Sequence, residues 1–146
     1  MASASREFPA SPHRIFSVLL DPQTYPSWLA GAADIRAIDD DWPAVGSRFH
    51  HRVGFGPLKI ADHTEVLEVQ PDRLLRLAVR ARPFVAATAT FSVVGDGERC
   101  VVTFQEEPAL RLIGNVVRPV LDPMTHVRNH VSLKRLEPLV TAVGSP

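Results

Sequence analysis

Apolar and polar positions change their period several times along the chain, and each change marks an element. Residues 2–9, with Phe8 near their end, predict a first strand. Ser11-Pro12 then supplies a helix start, because a serine hydroxyl caps orphan N–H groups and proline is tolerated at the first helical position. Ile15, Phe16, Leu19 and Leu20 follow at helical spacing. Asp21-Pro22 repeats the signal, so the first helix stops and a second begins. That second helix carries Tyr25, Trp28 and Leu29, and Pro26 keeps it short.

From residue 34 to residue 107 the pattern is strand, turn, strand. Residues 34–40 form a weak strand, and 42–46 form a loop. Residues 47–55 alternate, with Phe49, His51, Val53 and Phe55 on one face and Arg48, His50 and Arg52 on the other. Residues 54–57 turn the chain into a strand over 58–69, closed by Pro71-Asp72. Leu75, Leu77, Val79 and Ala81 alternate with Arg76, Arg80 and Arg82, the clearest half-buried strand of the chain; Pro83 ends it. Residues 84–94 are rich in Ala, Thr and Val. Gly95-Asp96-Gly97 is a hairpin signal that offers the positive φ of a tight turn. Residues 99–107 place Cys100, Val102 and Phe104 on one face, and Pro108 ends the strand. Residues 109–143 read as helix, restarted at Asp122-Pro123, with Pro138 a further point of kinking.

The order is strand, two short helices, a run of strands and a long helix, which is an α+β fold. Strands joined by short turns make an antiparallel meander. A sheet of about seven strands must twist and curl. Curling around the single long C-terminal helix gives it a concave face that the helix does not completely fill.

Composition narrows the class without changing this picture. The 146 residues suit one domain spanning 1–146, and a chain of this size buries roughly 70% of its unfolded surface. Lys plus Arg and Asp plus Glu each number 16, so the net charge is zero, which excludes the basic excess of a nucleic-acid-binding domain. The lone Cys100 permits no internal disulfide and fits a reducing compartment. No apolar run resembles a signal peptide or reaches the roughly 18 residues of a membrane helix. The expected location is cytoplasmic.

Several local motifs, in order and spacing, extend the picture. They are Ala10-Ser11-Pro12 through Val18, Asp21-Pro22-Gln23-Thr24-Tyr25-Pro26-Ser27-Trp28, Val45-Gly46 before a strand, and the corner from Glu65 through Pro71-Asp72-Arg73-Leu74. Asn129, Ser132-Leu133 and Arg135-Leu136 follow near the C-terminus. With these the chain resembles the polyketide cyclase/dehydrase and lipid-transport (SRPBCC) superfamily, which includes START domains and birch-pollen-allergen-like proteins. The resemblance implies a helix-grip fold with a cavity for lipids, steroids, polyketides or similar molecules. It transfers no catalytic signature and no cofactor.

Within such a cavity the expected ligand-contacting residues are Trp28, Phe49, His51, Val53, His63, Leu77, Val79, Ala87, Ala89, Phe91, Val102, Phe104, His126 and His130. Ala86, Ala87 and Ala89 leave volume unfilled. Aromatic residues either line a pocket or fill it, and filling is the default. His51 is a polar group among aromatics, suited to orienting a ligand; the plainer role for it, and for His63, is a satisfied interior histidine. Asp122, His126 and His130 share one helix face that continues to Leu133, Leu136 and Val140. One of those histidines could orient a carbonyl or shuttle a proton. The plainer reading buries Met124, Val127 and Val131 and leaves the histidines in solvent.

Metal binding is not expected. His50 and His51 point to opposite faces, and the helical pair lacks H-E-x-x-H. The run Gln105-Glu106-Glu107 offers a base in a desolvated pocket, but reads first as a solvated strand end. Arg76, Arg80 and Arg82 read as a solvated outer row.

Three functions compete. The first is binding or carrying a lipophilic small molecule. The second is a cyclase or dehydratase using cavity histidines as acid and base, against which the scarcity of tyrosine counts, since Tyr25 is the only phenol. The third is a protein-interaction module with a vestigial cavity. A homodimer is left open.

Overall fold

The computed structural model describes residues 2–29, 32–55, 57–81, 85–108 and 127–141. Strand β1 (Ala2–Phe8) is followed by helix α1 (Pro12–Leu19), a 3-10 turn (Pro22–Thr24) and helix α2 (Tyr25–Trp28). Six strands then succeed one another: β2 (Ala32–Ile38), β3 (Arg48–Phe55), β4 (Leu58–Gln70), β5 (Leu74–Ala81), β6 (Val85–Gly95) and β7 (Cys100–Pro108). Residues 127–141 are helical and are called α3; the helix runs through Pro138. The part of the expected long helix over 109–126 lies outside the described residues.

All strands join one antiparallel sheet in the order β1-β7-β6-β5-β4-β3-β2. The meander is therefore as expected from the alternation and short turns. Strand β1 lies at the edge opposite its sequence neighbour β2, and α1 and α2 span between them.

Local chemistry sets the element ends. The Ser11 hydroxyl accepts a hydrogen bond from the Arg14 N–H at 3.1 Å, and Pro12 occupies the first turn of α1. Ile15, Phe16, Val18 and Leu19 form its buried face. The Asp21 carboxylate caps the next turn by accepting from the Gln23 N–H at 3.1 Å. The β4–β5 corner places Asp72 at φ 64°, a left-handed conformation that short polar residues tolerate.

The β6–β7 connection differs from expectation. Gly95 pairs with Cys100, so four residues form the loop, and neither Gly95 nor Gly97 has positive φ. Asp96 organises the turn by accepting from the N–H groups of Glu98 and Arg99 at 2.9 and 3.1 Å. Gly95 is needed for close approach: a Cβ there would lie 2.2 Å from the Arg99 carbonyl oxygen.

Strand β4 carries a bulge. Val66 pairs with Leu77 but Glu68 pairs with Arg76, so Leu67 is extra and 41% exposed. This breaks the period of that strand between Val66 and Glu68.

The core lies between the inner sheet face and the helices. Phe8, Phe16, Trp28, Val66, Leu75, Val102 and Phe104 meet Leu133, Leu136 and Val140 of α3. The phase of α3 corrects the plainer expectation: Val127 is 61% and Val131 36% exposed, while Asn129, Ser132, Leu133, Leu136 and Val140 are buried. His130 is exposed, in agreement with that expectation. Met124, His126 and Asp122 lie outside the described residues. Polar ties position α3. Arg6 of β1 donates to Glu137 at 3.2 Å, and Arg14 of α1 donates to the carbonyls of Leu139 and Val140 at 3.1 and 3.3 Å. Among the described residues no helix is long and apolar enough to cross a membrane.

Candidate ligand cavity

Strands β3 to β7 turn alternate side chains toward α2 and α3. Where those side chains are short or splay apart, a cavity of about 80 Å³ remains. A single water needs roughly 10–15 Å³ of such room, so the space holds several waters; it is about half of the roughly 150 Å³ cavity that takes up benzene.

Its walls are mostly apolar: Leu29, Ile35, Phe49, Leu77, Val79, Ala89, Phe91 and Phe104. A continuous aromatic belt supports one side. Phe104 stacks on Phe91 at 4.3 Å between centroids, and Phe91 meets Trp28 edge-on at 5.8 Å. Trp28 meets Tyr25 at 5.4 Å, Tyr25 meets Phe49 at 5.3 Å, and Phe49 reaches the His51 ring at 5.5 Å. Such edge and offset contacts lock ring orientations, so the wall is preorganised.

Five polar side chains complete the lining: Tyr25, His51, Thr64, Glu106 and Arg128. Tyr25 donates its hydroxyl to the Leu19 carbonyl, and burial holds its phenol far above the ordinary value. The only phenol in the chain is thus protonated and already committed to backbone, which removes it as a carbonyl-polarising group.

His51 is 4% exposed and Thr64 2%. The imidazole Nε2 and the Thr64 hydroxyl share a hydrogen bond of 2.9 Å. Across the β3–β4 ladder, Asp62 is the direct partner of His51. Burial is the largest influence on the imidazole and lowers its pKa below 6.5; the Asp62 charge and the His63 carbonyl oppose this only in part. His51 is therefore neutral at pH 7.

This shift has a sign that can be tested. An unfolded His51 binds a proton near pH 6.5, whereas the folded one resists until lower pH. Stability from this group is complete above pH 6.5 and declines as the pH falls below that value toward the folded pKa. In urea unfolding at pH 7.5 and at pH 5.5, the loss of stability on acidification is expected to be smaller in His51→Gln than in the parent chain. An equal loss in both would show that His51 is not buried in its neutral form.

Glu106 and Arg128 face the cavity from β7 and α3 and form an ion pair. Burial pushes the Glu106 carboxyl upward, and the Arg128 charge and hydrogen bond pull it partly back. The acidic run is thus not one solvated strand end. Alternation turns Glu106 inward, while Gln105 and Glu107 lie on the outer face around Arg76, Thr88 and Thr90.

Seven of the expected residues line this space: Phe49, His51, Leu77, Val79, Ala89, Phe91 and Phe104. Trp28 and Val102 are fully buried in the core behind it, and Ala87 is half-buried outside the wall. His63 belongs to the other face. Its Nε2 accepts from Arg80 at 3.0 Å and its Nδ1 lies 3.3 Å from Asp62; alternation from the buried Thr64 turns it to the outer face. His130 is exposed and stands outside the wall because α3 turns the Asn129–Leu133 face inward. His126 and the Val53 side chain lie outside the described residues. Arg76 pairs with Glu68 at 3.0 Å on the outer face; Arg82 lies outside the described residues. Cys100 is buried and its thiol is pushed up to about 11, which leaves it unreactive.

Alternation and burial patterns missed Tyr25, Leu29, Ile35, Thr64 and Arg128. Thr64 was legible only through its neighbour strand, since its place beside His51 depends on the β3–β4 register. Among the described residues no three His, Cys, Asp or Glu side chains gather as a metal site.

Comparison with known proteins places this geometry. No curated protein is similar in sequence. Among solved structures, TTHA0849 from Thermus thermophilus superposes with a TM-score of 0.68 at 20% identity over 99% of both chains. The Zhui aromatase/cyclase from Streptomyces sp. R1128 gives 0.69 at 14% identity, over 95% of this chain and 92% of that one. The Aha1 dimer from Colwellia psychrerythraea gives 0.67 at 16% identity, over 99% and 98%. At such identities these likenesses establish the helix-grip type of fold alone. The family model described as polyketide cyclase / dehydrase and lipid transport matches residues 2–141, and with that match the chain belongs to this family.

Proposed function

We propose that this protein binds a lipophilic small molecule, of lipid, sterol or polyketide-like character, in the cavity between the sheet and α3. The observation that carries this reading is the lining: eight apolar side chains form the walls, with paired polar groups, His51 with Thr64 and Glu106 with Arg128, as additions to them. Apolar walls supply affinity, and a few placed polar groups supply orientation. At about 80 Å³ the space is smaller than the roughly 150 Å³ cavity that takes up benzene, so a ring enters as the walls give way. A sterol or polyketide enters only if the aromatic belt or α3 moves outward.

Native mass spectrometry of protein purified without denaturation tests this reading. The expected spectrum shows the chain plus a discrete added mass that is lost on unfolding. Empty protein, with no rise in melting temperature across fatty acids, sterols and aromatic ketones, would remove it.

A second reading, a cyclase or dehydratase, is favoured by one observation. Glu106 is a desolvated carboxyl in the cavity wall beside a guanidinium, an arrangement suited to moving a proton. This shifts the acid–base role from the histidines to Glu106. On this reading Glu106→Gln removes turnover and leaves ligand binding in place.

A further inference from the structure

Helix α3 is held to the sheet unevenly along its length. From Leu133 to Val140 the hold is apolar and deep, with Leu133, Leu136 and Val140 buried in the core. Polar ties reinforce that end, from Arg6 to Glu137 and from Arg14 to the carbonyls of Leu139 and Val140. From Val127 to Ser132 the character changes. Val127 and Val131 are exposed, and the buried positions are the polar Asn129 and Ser132. The Asn129 carboxamide is fully buried, and neither its nitrogen nor its oxygen has a hydrogen-bond partner. The ion pair of Arg128 with Glu106 ties this end to β7. The Arg128 side chain is 41% exposed, and a pair so open to water shifts an equilibrium by about fivefold or less. An unpaired buried amide shifts it at least about as far the other way, because opening returns the amide to water. The 127–132 end is therefore closed by a small margin, whereas the 133–140 end comes away only with the core. Glu106 and Arg128 both line the cavity, so parting them opens its wall. The facing wall is less free to move, since each ring of the aromatic belt is fixed by the next.

We propose that the 127–132 end of α3 is a latch, closed by Arg128 on Glu106 and loaded by the unpaired Asn129, which swings from the anchored 133–140 end and opens the cavity. This rests on the cavity being a ligand site, as proposed above, and adds to it the element that admits the ligand. Asn129 keeps the closed form from becoming too stable. A leucine there is branched at the same atom and has no carboxamide to desolvate, so it holds the latch shut.

Native-state hydrogen exchange of the intact, ligand-free chain, read by NMR, tests the latch. In a helix the amides of Ser132 and Leu133 bond to the carbonyls of Arg128 and Asn129, so they report the latched end; those of Glu137 and Val140 report the anchored end. The first two are expected to exchange at least about tenfold faster than the second two, after correction for intrinsic rates. Asn129→Leu is expected to slow the first pair about tenfold and leave the second unchanged, and Arg128→Met to speed the first pair about fivefold. Val131→Leu controls for helix propensity alone, worth about twofold. Exchange at one common rate along α3, shifted equally at all four amides by Asn129→Leu, would show that the helix lifts only in global unfolding and would overturn the latch. Acetophenone, a one-ring probe, tests the entrance through NMR line shapes. In Asn129→Leu its association and dissociation are both expected to slow about tenfold with the dissociation constant unchanged, the signature of a gate rather than a contact. Unchanged rates, or a changed dissociation constant at an unchanged association rate, would overturn the latch as the entrance and leave the cavity standing as a site. Failure of acetophenone to bind the parent chain would count against the cavity itself and take the entrance with it.

Discussion

Trp28→Ala is expected to lower folding stability by about 3–5 kcal/mol, the range for deleting a large buried aromatic side chain. Trp28 is fully buried, with Tyr25 and Phe91 packed edge-on against its ring at 5.4 and 5.8 Å. Its indole N–H donates to the Thr24 hydroxyl at 3.1 Å, which ties α2 to the turn before it. Helix α2 has only four residues, too few to be helical without tertiary support. Removing the ring therefore opens a void and also frees the segment that carries Tyr25 and Leu29 to the cavity. Against a total stability of roughly 5–15 kcal/mol, this is a large share. Urea unfolding of Trp28→Ala beside Trp28→Phe measures it, with Phe expected to recover part of the loss. Val127→Ala, at an exposed position, should stay within about 0.5 kcal/mol of the parent. A loss below about 1 kcal/mol for Trp28→Ala would mean that the belt does not organise the core.

The same belt shows which parts of the molecule can be read without coordinates. Phe49 and His51, or Leu75, Leu77 and Val79, announce their face by alternation, because a strand's period is two and one face is dry. Ser11-Pro12 announces a helix start through a contact three residues away. Such local signals, taken in order, yielded the meander and the helix-grip arrangement. The cavity's polar groups depend on register and helix phase, which are long-range properties. Thr64 matters because it lies diagonal to His51 across the β3–β4 ladder. Glu106 looked solvated because its neighbours in sequence are polar, yet its neighbours in space are Ala89 and Arg128. On α3, two exposed valines and two buried polar residues, Asn129 and Ser132, inverted the apparent apolar face. Composition pointed to the wrong side there, and only packing against the sheet settles the phase.

The largest functional effect is expected from filling the cavity at Ala89. This residue is 3% exposed and sits on β6 between Leu77 of β5 and Glu106 of β7, its direct partners in the two ladders. All three line the cavity. Replacing its methyl by a benzyl group, Ala89→Phe, projects a ring into the space where the ligand is proposed to sit. Phenylalanine is at home in a strand, so the backbone tolerates it. The overpacking cost is about 1–3 kcal/mol, offset in part because the ring enters existing room. Binding is expected to fall by more than about a hundredfold, since a site of about 80 Å³ cannot hold both rings. Ala78→Phe supplies the control. Ala78 lies on β5 with its side chain on the opposite face, paired with Glu65 and Thr88, and there the same added ring leaves the cavity unchanged. Titration with acetophenone would read both variants, with circular dichroism confirming that each is folded. If folded Ala89→Phe bound as tightly as Ala78→Phe, the ligand would have to lie elsewhere on the molecule, because the added ring takes the room beside the Phe91–Phe104 stack that the ligand is proposed to fill.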